Sequence, residues 1–312
     1  MTGRRGTPKG RLAICAPLLV LGCELQEITI AEPEDVVIAE VLIQVQQAGP
    51  TTVSRVSAFL HRTIGGTNGS GEVPGADIRL RLPGGREIRF DETDVDECLT
   101  EDEFEGRPVT GSCYRADTQP QMVRPGDPVS VVIELADGGT LTGETVLAEG
   151  FELVTPVFAI CKLEPDSTLE LMWRSAPGAW AYVSETSIRG LPLVLAGRGI
   201  VLEEDPLNLV GLAVSASDTT IVFPSEFGLF ERFDLDRELA LLLQNGLPEG
   251  ANADLVLAAA DRNWVNWVRG GNFNPSGQVR IPSIRGDGTG VLGSVVRRPL
   301  KILTIGEAPP CR

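Results

Sequence analysis

From Val36 onward the chain is cut into short β-rich runs by glycines and prolines, of which the whole sequence holds 35 and 22, spread without a fixed period. Punctuation this frequent leaves little room for long helices and favours strands joined by tight turns. The run Val36–Val45 is rich in β-branched residues, and Ser54–Arg62 alternates so that Val56, Ala58 and Leu60 share one face. After the glycine-rich stretch 65–71, the segment Asp77–Leu82 turns Ile78, Leu80 and Leu82 to one side and Asp77, Arg79 and Arg81 to the other. Pro83-Gly84-Gly85 predicts a turn into a return strand at Glu87–Phe90, and Asp137-Gly138-Gly139 predicts a hairpin between Val129–Leu135 and Thr140–Val146. With 42% hydrophobic residues there is material for real cores. The expected fold class is all-β: two antiparallel β-sandwiches in series, 36–156 and 157–312. One inserted helix is expected at about 235–244. Asp234 can cap it, Leu235, Leu239 and Leu242 give its apolar face, and Asn245-Gly246 ends it.

The N-terminus carries a different message. Arg4, Arg5, Lys9 and Arg11 precede the ten-residue apolar run Leu12–Leu21, which contains Pro17. A spanning helix needs about 20 apolar residues, so this run reads as the h-region of a cleaved signal over 1–22. Val20-Leu21-Gly22-Cys23, a small residue directly before a cysteine, resembles the bacterial lipoprotein signature. That resemblance makes Cys23 the lipidation site, 23–35 a lipidated tether, and the membrane a partner through the lipid anchor. Several acyl chains, at about 0.8 kcal/mol for each buried methylene, make such attachment effectively permanent. Glu24, rather than aspartate, after the cysteine favours the outer membrane; the leaflet stays open.

Removing the signal takes away four of 27 cations and none of the 43 acids, which leaves a net charge near −20. A nucleic-acid partner is excluded, because phosphate binding needs clustered lysines and arginines, and the body of the protein repels anionic headgroups. Apart from Cys15 and Cys23, four cysteines remain. An even number in an exported chain reads as disulfides, and of three possible pairings spacing favours Cys98 with Cys113 and Cys161 with Cys311. Zinc is the competing reading, but there is no CxxC and His61 is the single histidine.

Val73-Pro74-Gly75-Ala76-Asp77-Ile78, with Cys113-Tyr114 and Pro125-Gly126-Asp127 further on, resembles the carboxypeptidase-regulatory, transthyretin-like module, a seven-stranded sandwich without catalytic residues. Leu169–Trp173 and Ala181–Val183 are similar to the B and C strands of fibronectin type III domains, where a tryptophan fills the space between sheets. Asp261-Arg262-Asn263, followed by Gly286-Asp287-Gly288-Thr289-Gly290-Val291-Leu292-Gly293-Ser294, resembles the closing "D-x-N … GGxGxFG" pattern of a family of uncharacterised surface lipoproteins; Leu292 stands where that pattern has an aromatic. The genes of that family often lie near TonB-dependent transporters. The resemblance implies an exported lipoprotein with an outer-membrane transporter or envelope protein as partner, and it brings no activity.

No reaction is written in the residues. His61 has no GxSxG serine to activate, and HExxH, Walker A and GxGxxG are absent, so it reads first as a solvent-facing side chain. Nine carboxylates between Asp91 and Glu105 make Asp94, Asp96, Glu101 and Asp102 a calcium candidate, although the EF-hand order with its glycine is missing and a solvated loop is the simpler reading. Trp264 and Trp267, near 270–275, are ligand-binding candidates; on a strand their spacing of three would put them on opposite faces, at least one of them in the core. Arg285-Gly286-Asp287 reads as a turn. The expectation is a non-enzymatic envelope protein that binds a partner or ligand, with no cofactor. A hydrolase or glycan-processing enzyme using carboxylates such as Glu203, Glu204 and Asp205 is the rival, and a structural envelope spacer the third reading.

Overall fold

Two twelve-residue strands open the part of the chain that a computed structural model describes: residues 35–48, 51–63, 71–98, 110–202, 204–213, 215–227, 237–269 and 281–312. These all belong to one unit, Glu34–Arg312. The signal region 1–22, Cys23, the tether up to residue 34, Glu101, Asp102, Glu203, Asp234, Leu235 and the loop 270–275 lie outside the described residues.

β1 (Val37–Ala48) and β2 (Thr51–Arg62) pair antiparallel, with Val41 opposite Ala58 and Leu60 opposite Ala39. Their alternate residues Val41, Ile43, Val56, Ala58 and Leu60 are all buried, as period-two packing on one face requires. β3 (Asp77–Leu82) turns through Pro83-Gly84-Gly85 into β4 (Arg86–Arg89), and Gly84 sits there at a φ of 78°, where a side chain would be strained. β5 (Asp91–Thr93) and β6 (Ser112–Ala116) follow, then the expected hairpin of β7 (Pro128–Glu134) and β8 (Thr140–Val146). Ile78, Leu80, Val131 and Ile133 have no exposed surface, and burying each such side chain stabilises by roughly 1.5–3 kcal/mol.

The remaining chain supplies β9 (Leu153–Thr155), β10 (Ile160–Lys162), β11 (Leu169–Trp173), β12 (Ala181–Arg189), α1 (Leu191–Ala196), β13 (Leu207–Ala213), β14 (Thr220–Phe223), α2 (Arg237–Asn245), β15 (Asn252–Ala260), α3 (Arg262–Arg269), β16 (Ile284–Gly286) and β17 (Gly288–Leu303). The all-β expectation holds. One fourteen-stranded sheet, however, runs through both halves of the chain. Its main path is β4-β3-β7-β8-β16-β17-β1-β2-β6-β5, and β10, β15, β12 and β13 join through β17. The sixteen-residue β17 makes the link. Its first part lies parallel to β1, Val37 opposite Gly288 through Gln46 opposite Arg297, and its later part pairs antiparallel with β15, Ala260 opposite Val295 through Ala253 opposite Ile302. A second sheet, β14-β11-β9, brings Trp173 to 5.1 Å from the Tyr182 ring of β12. Trp173 is 3% exposed and fills the space between the sheets.

Both expected disulfides are present. Cys98–Cys113 spans 5.6 Å and Cys161–Cys311 4.9 Å between α-carbons. Disulfides persist in oxidising compartments, so the pair points to a periplasmic or extracellular location. The helix expectation needs correcting from one to three among the described residues. α2 matches it, with Leu239 and Leu243 buried and Gly246 at a φ of 126° beyond its end. α1 and α3 were not expected, and among the described residues no helix is long and apolar enough to cross a membrane.

Candidate functional site

Asp261 ends β15 and starts α3, and its surroundings explain the D-x-N pattern. Only 1% of it is exposed. Oδ1 accepts the Trp264 amide at 2.8 Å, which caps the helix, while Oδ2 accepts the Thr145 hydroxyl at 2.7 Å and the Ser294 hydroxyl at 2.8 Å. The Asp261 amide donates to the Ser294 carbonyl at 3.0 Å. Burial disfavours the charged form and pushes the carboxyl above the usual aspartate range, although these hydrogen bonds act in the opposite direction. Asn263 Nδ2 donates to the Glu144 carbonyl at 2.9 Å and to the Leu292 carbonyl at 3.1 Å. Asp261 and Asn263 therefore fasten β8, β17 and α3 together.

The glycine-rich block meets the same cluster from β17. A Cβ on Gly293 would lie 2.9 Å from Trp264 Cβ, and one on Gly290 would run into the Ala39 carbonyl of β1. These glycines allow close packing. Leu292, at the position of the pattern's aromatic, has no exposed surface. Of Arg285-Gly286-Asp287, read from the sequence as a turn, Arg285 and Gly286 end β16 and Asp287 makes the bend into β17, where its Oδ2 accepts the Thr140 amide at 2.8 Å.

One residue of Asp261-Arg262-Asn263 points outward. The Arg262 guanidinium stands 5.0 Å over the Trp180 ring, within cation–π range, and Trp180 is still 44% exposed. Around this pair lies an open groove of about 740 Å³ on the outer face of β3, β7 and β8, bordered by Arg81, Ser130, Glu144, Val146 and Asn263. Strand alternation aims these side chains outward: Arg81 lies between buried Leu80 and Leu82, and Ser130 between buried Val129 and Val131. A second depression of about 540 Å³ shares Arg81, Ser130, Glu144 and Asn263 with the first and extends to Arg285. The two form one elongated groove. Arg81 bonds Glu87 at 2.9 Å, whereas Arg262 and Arg285 make no ion pair with a described residue.

The structure places the residues singled out in the sequence elsewhere. Trp264 and Trp267 sit on α3, not on a strand, so their spacing of three puts them near one helix face. Trp264 is half-buried, and Trp267 is 6% exposed with its indole donating to Glu40 Oε1 at 2.9 Å. Of the calcium candidates, Asp94 and Asp96 are exposed beside a 3-10 turn, and no cluster of three or more metal-ligating side chains occurs among the described residues. His61 is half-buried, 5.6 Å from the Phe59 ring. Asp205 accepts the Gly190 amide at 3.0 Å just before α1, a structural bond. Arg81 and Arg262 stand in patterned segments of the sequence but do not read there as site residues, and neither does Trp180. The only available signal was the outward alternation of Arg79 and Arg81, because Trp180 and Arg262 meet through pairing of distant strands.

No family model matches the sequence, and no curated protein matches it. Among solved structures, a DUF4785 family protein from Legionella pneumophila is similar at 13% identity and a TM-score of 0.22, over 70% of this chain and 51% of that one. The match thus spans about half of that protein's length, and the superposition is too loose to bear on function.

Proposed function

We propose that this is an exported envelope protein, anchored through lipid at Cys23 and without catalytic activity, that binds a partner or ligand through the Arg81–Trp180–Arg262 groove. The groove carries the reading: exposed guanidinium groups and an exposed indole on a rigid sheet face are a recognition surface rather than a core feature. An outer-membrane transporter in the same membrane is the partner the surface-lipoprotein resemblance suggests. The finer fold reading belongs to the same proposal. In it β4-β3-β7-β8 and β1-β2-β6-β5 are the two layers of a transthyretin-like sandwich, and β14-β11-β9 packs on β12 and its neighbours as a fibronectin-like one.

Two measurements test it. Cys23→Ser should abolish incorporation of a labelled fatty acid and leave an uncleaved precursor; normal maturation of that variant would refute the anchor. Full-length protein drawn from detergent-solubilised membranes should bring the transporter with it, and Arg262→Glu should release it. Recovery of the protein alone under mild conditions would count against a stable partner.

A further inference from the structure

We infer that the ligand of the groove is an acidic saccharide: a short chain of polyhydroxylated rings bearing carboxylates. The inference rests on the binding role proposed above and adds the chemistry of what is bound.

Charge is the first consideration. The chain has 43 acidic residues against 27 lysines and arginines, yet the groove collects Arg81, Arg262 and Arg285 around one carboxylate, Glu144. Arg262 and Arg285 are exposed and form no ion pair with a described residue, so their guanidinium forks are available for planar, two-point contact with an anion. In a chain of negative net charge, such a local gathering of guanidinium groups selects anionic ligands and disfavours cationic ones.

Shape comes next. The two depressions share four lining residues, so a ligand can run from the Trp180 end to Arg285 and meet both exposed guanidinium groups. A single small anion would use only part of it.

Backbone pairing separates a saccharide from an acidic peptide. β7 lies between β3 and β8, and β8 between β7 and β16, so the strands that floor the groove have both edges paired. An added peptide strand would find no free ladder there. Recognition has to come from side chains. Those present are the Ser130 hydroxyl, the Glu144 carboxylate and guanidinium groups for ring hydroxyls and carboxylates, with the exposed indole of Trp180 as an apolar platform for a ring face.

The test titrates the full chain by calorimetry with hexagalacturonate, maltohexaose and hexaglutamate, at low and at high salt. Hexagalacturonate should bind and weaken as salt rises, and Arg262→Ala and Arg285→Ala should each weaken it about tenfold or more, which is roughly 1.4 kcal/mol or more. Trp180→Ala should weaken it too. All three positions are exposed, so the melting temperature of each variant should stay near that of the parent; a variant that melts normally but binds as before overturns the assignment of its residue. If maltohexaose binds as tightly as hexagalacturonate, and Trp180→Ala weakens both while the arginine variants do nothing, the acidic class is wrong and the binding groove stands. Tighter binding of hexaglutamate replaces the saccharide with a peptide. If none of the three binds and a photo-crosslinker at Val146 also yields no partner adduct, the groove has no binding role.

Discussion

The Thr145 hydroxyl of β8 donates to the Asp261 carboxylate at 2.7 Å, joining residues 116 positions apart. Ser294 of β17 donates to the same oxygen, so one side chain holds the two strands and the start of α3. Asp261→Ala would remove a helix cap and leave the buried Ser294 hydroxyl and the half-buried Thr145 hydroxyl without their acceptor, at a cost of about 2–3 kcal/mol. Chemical denaturation of parent and variant checks this; a change below ~0.5 kcal/mol would mean that the cluster is held by packing alone.

The same carboxyl has a pH signature. Its folded value lies above the usual aspartate range because burial penalises the charge. In the window between the ordinary and the raised value the folded state binds more protons than the unfolded state, so this group's contribution to stability falls as pH rises through that window. Asp261→Asn removes the titration while keeping an acceptor for the Trp264 amide. Parent minus variant, measured as melting temperature, should be most favourable to the parent at acid pH and decline toward neutrality. A difference that grows with pH would have the wrong sign for a raised carboxyl.

Tyr114 holds the turn that carries the transthyretin-like resemblance. Its buried hydroxyl donates to the Val73 carbonyl at 2.6 Å and accepts the Ala76 amide at 3.2 Å. Tyr114→Phe leaves both backbone groups unmatched and should destabilise by about 1–3 kcal/mol, with faster amide exchange at Ala76. Unchanged exchange at Ala76 would show that the hydroxyl does not fix the turn.

What could be read from the sequence followed from local patterns. Ile78, Leu80 and Leu82 of β3 and the β7–β8 hairpin announce themselves through alternation and turn residues, and α2 through its leucine spacing. α3 did not. Asn263-Trp264-Val265-Asn266-Trp267 is rich in residues that strands favour, and the Asp261 cap becomes visible only when Thr145 and Ser294 are brought to it. Sequence pattern divides β17 into a glycine-rich block and a final strand at Leu300–Ile305, with Arg297-Arg298-Pro299 between them. Pairing with β1 and then β15 carries one strand straight through. Partners so far apart in sequence leave no local trace, and Trp180 meets Arg262 through another such pairing, the antiparallel one of β12 with β15.

Cys161 and Cys311 close a loop of 150 residues, and the ladder around them shows what the bond secures. Cys161 on β10 lies opposite Ile302 of β17, the Cys311 amide donates to the Lys162 carbonyl at 2.9 Å, and the Val157 amide donates to the Arg312 carbonyl at 3.1 Å. β10 is only three residues long and pairs in parallel, so by itself it is a weak clasp. A covalent link across a loop of this size restricts the unfolded chain by about 5 kcal/mol in the chain-entropy account, an upper bound because strain and residual structure reduce it. Cys161→Ser should therefore lower the melting temperature and open residues 305–312 to carboxypeptidase, whereas Cys98→Ser should leave that segment protected. The cleavage pattern is the discriminating readout, since both variants lose stability. If trimming from the C-terminus is equally slow in the parent and in Cys161→Ser, backbone hydrogen bonds alone hold the terminus and the disulfide acts only on the unfolded state.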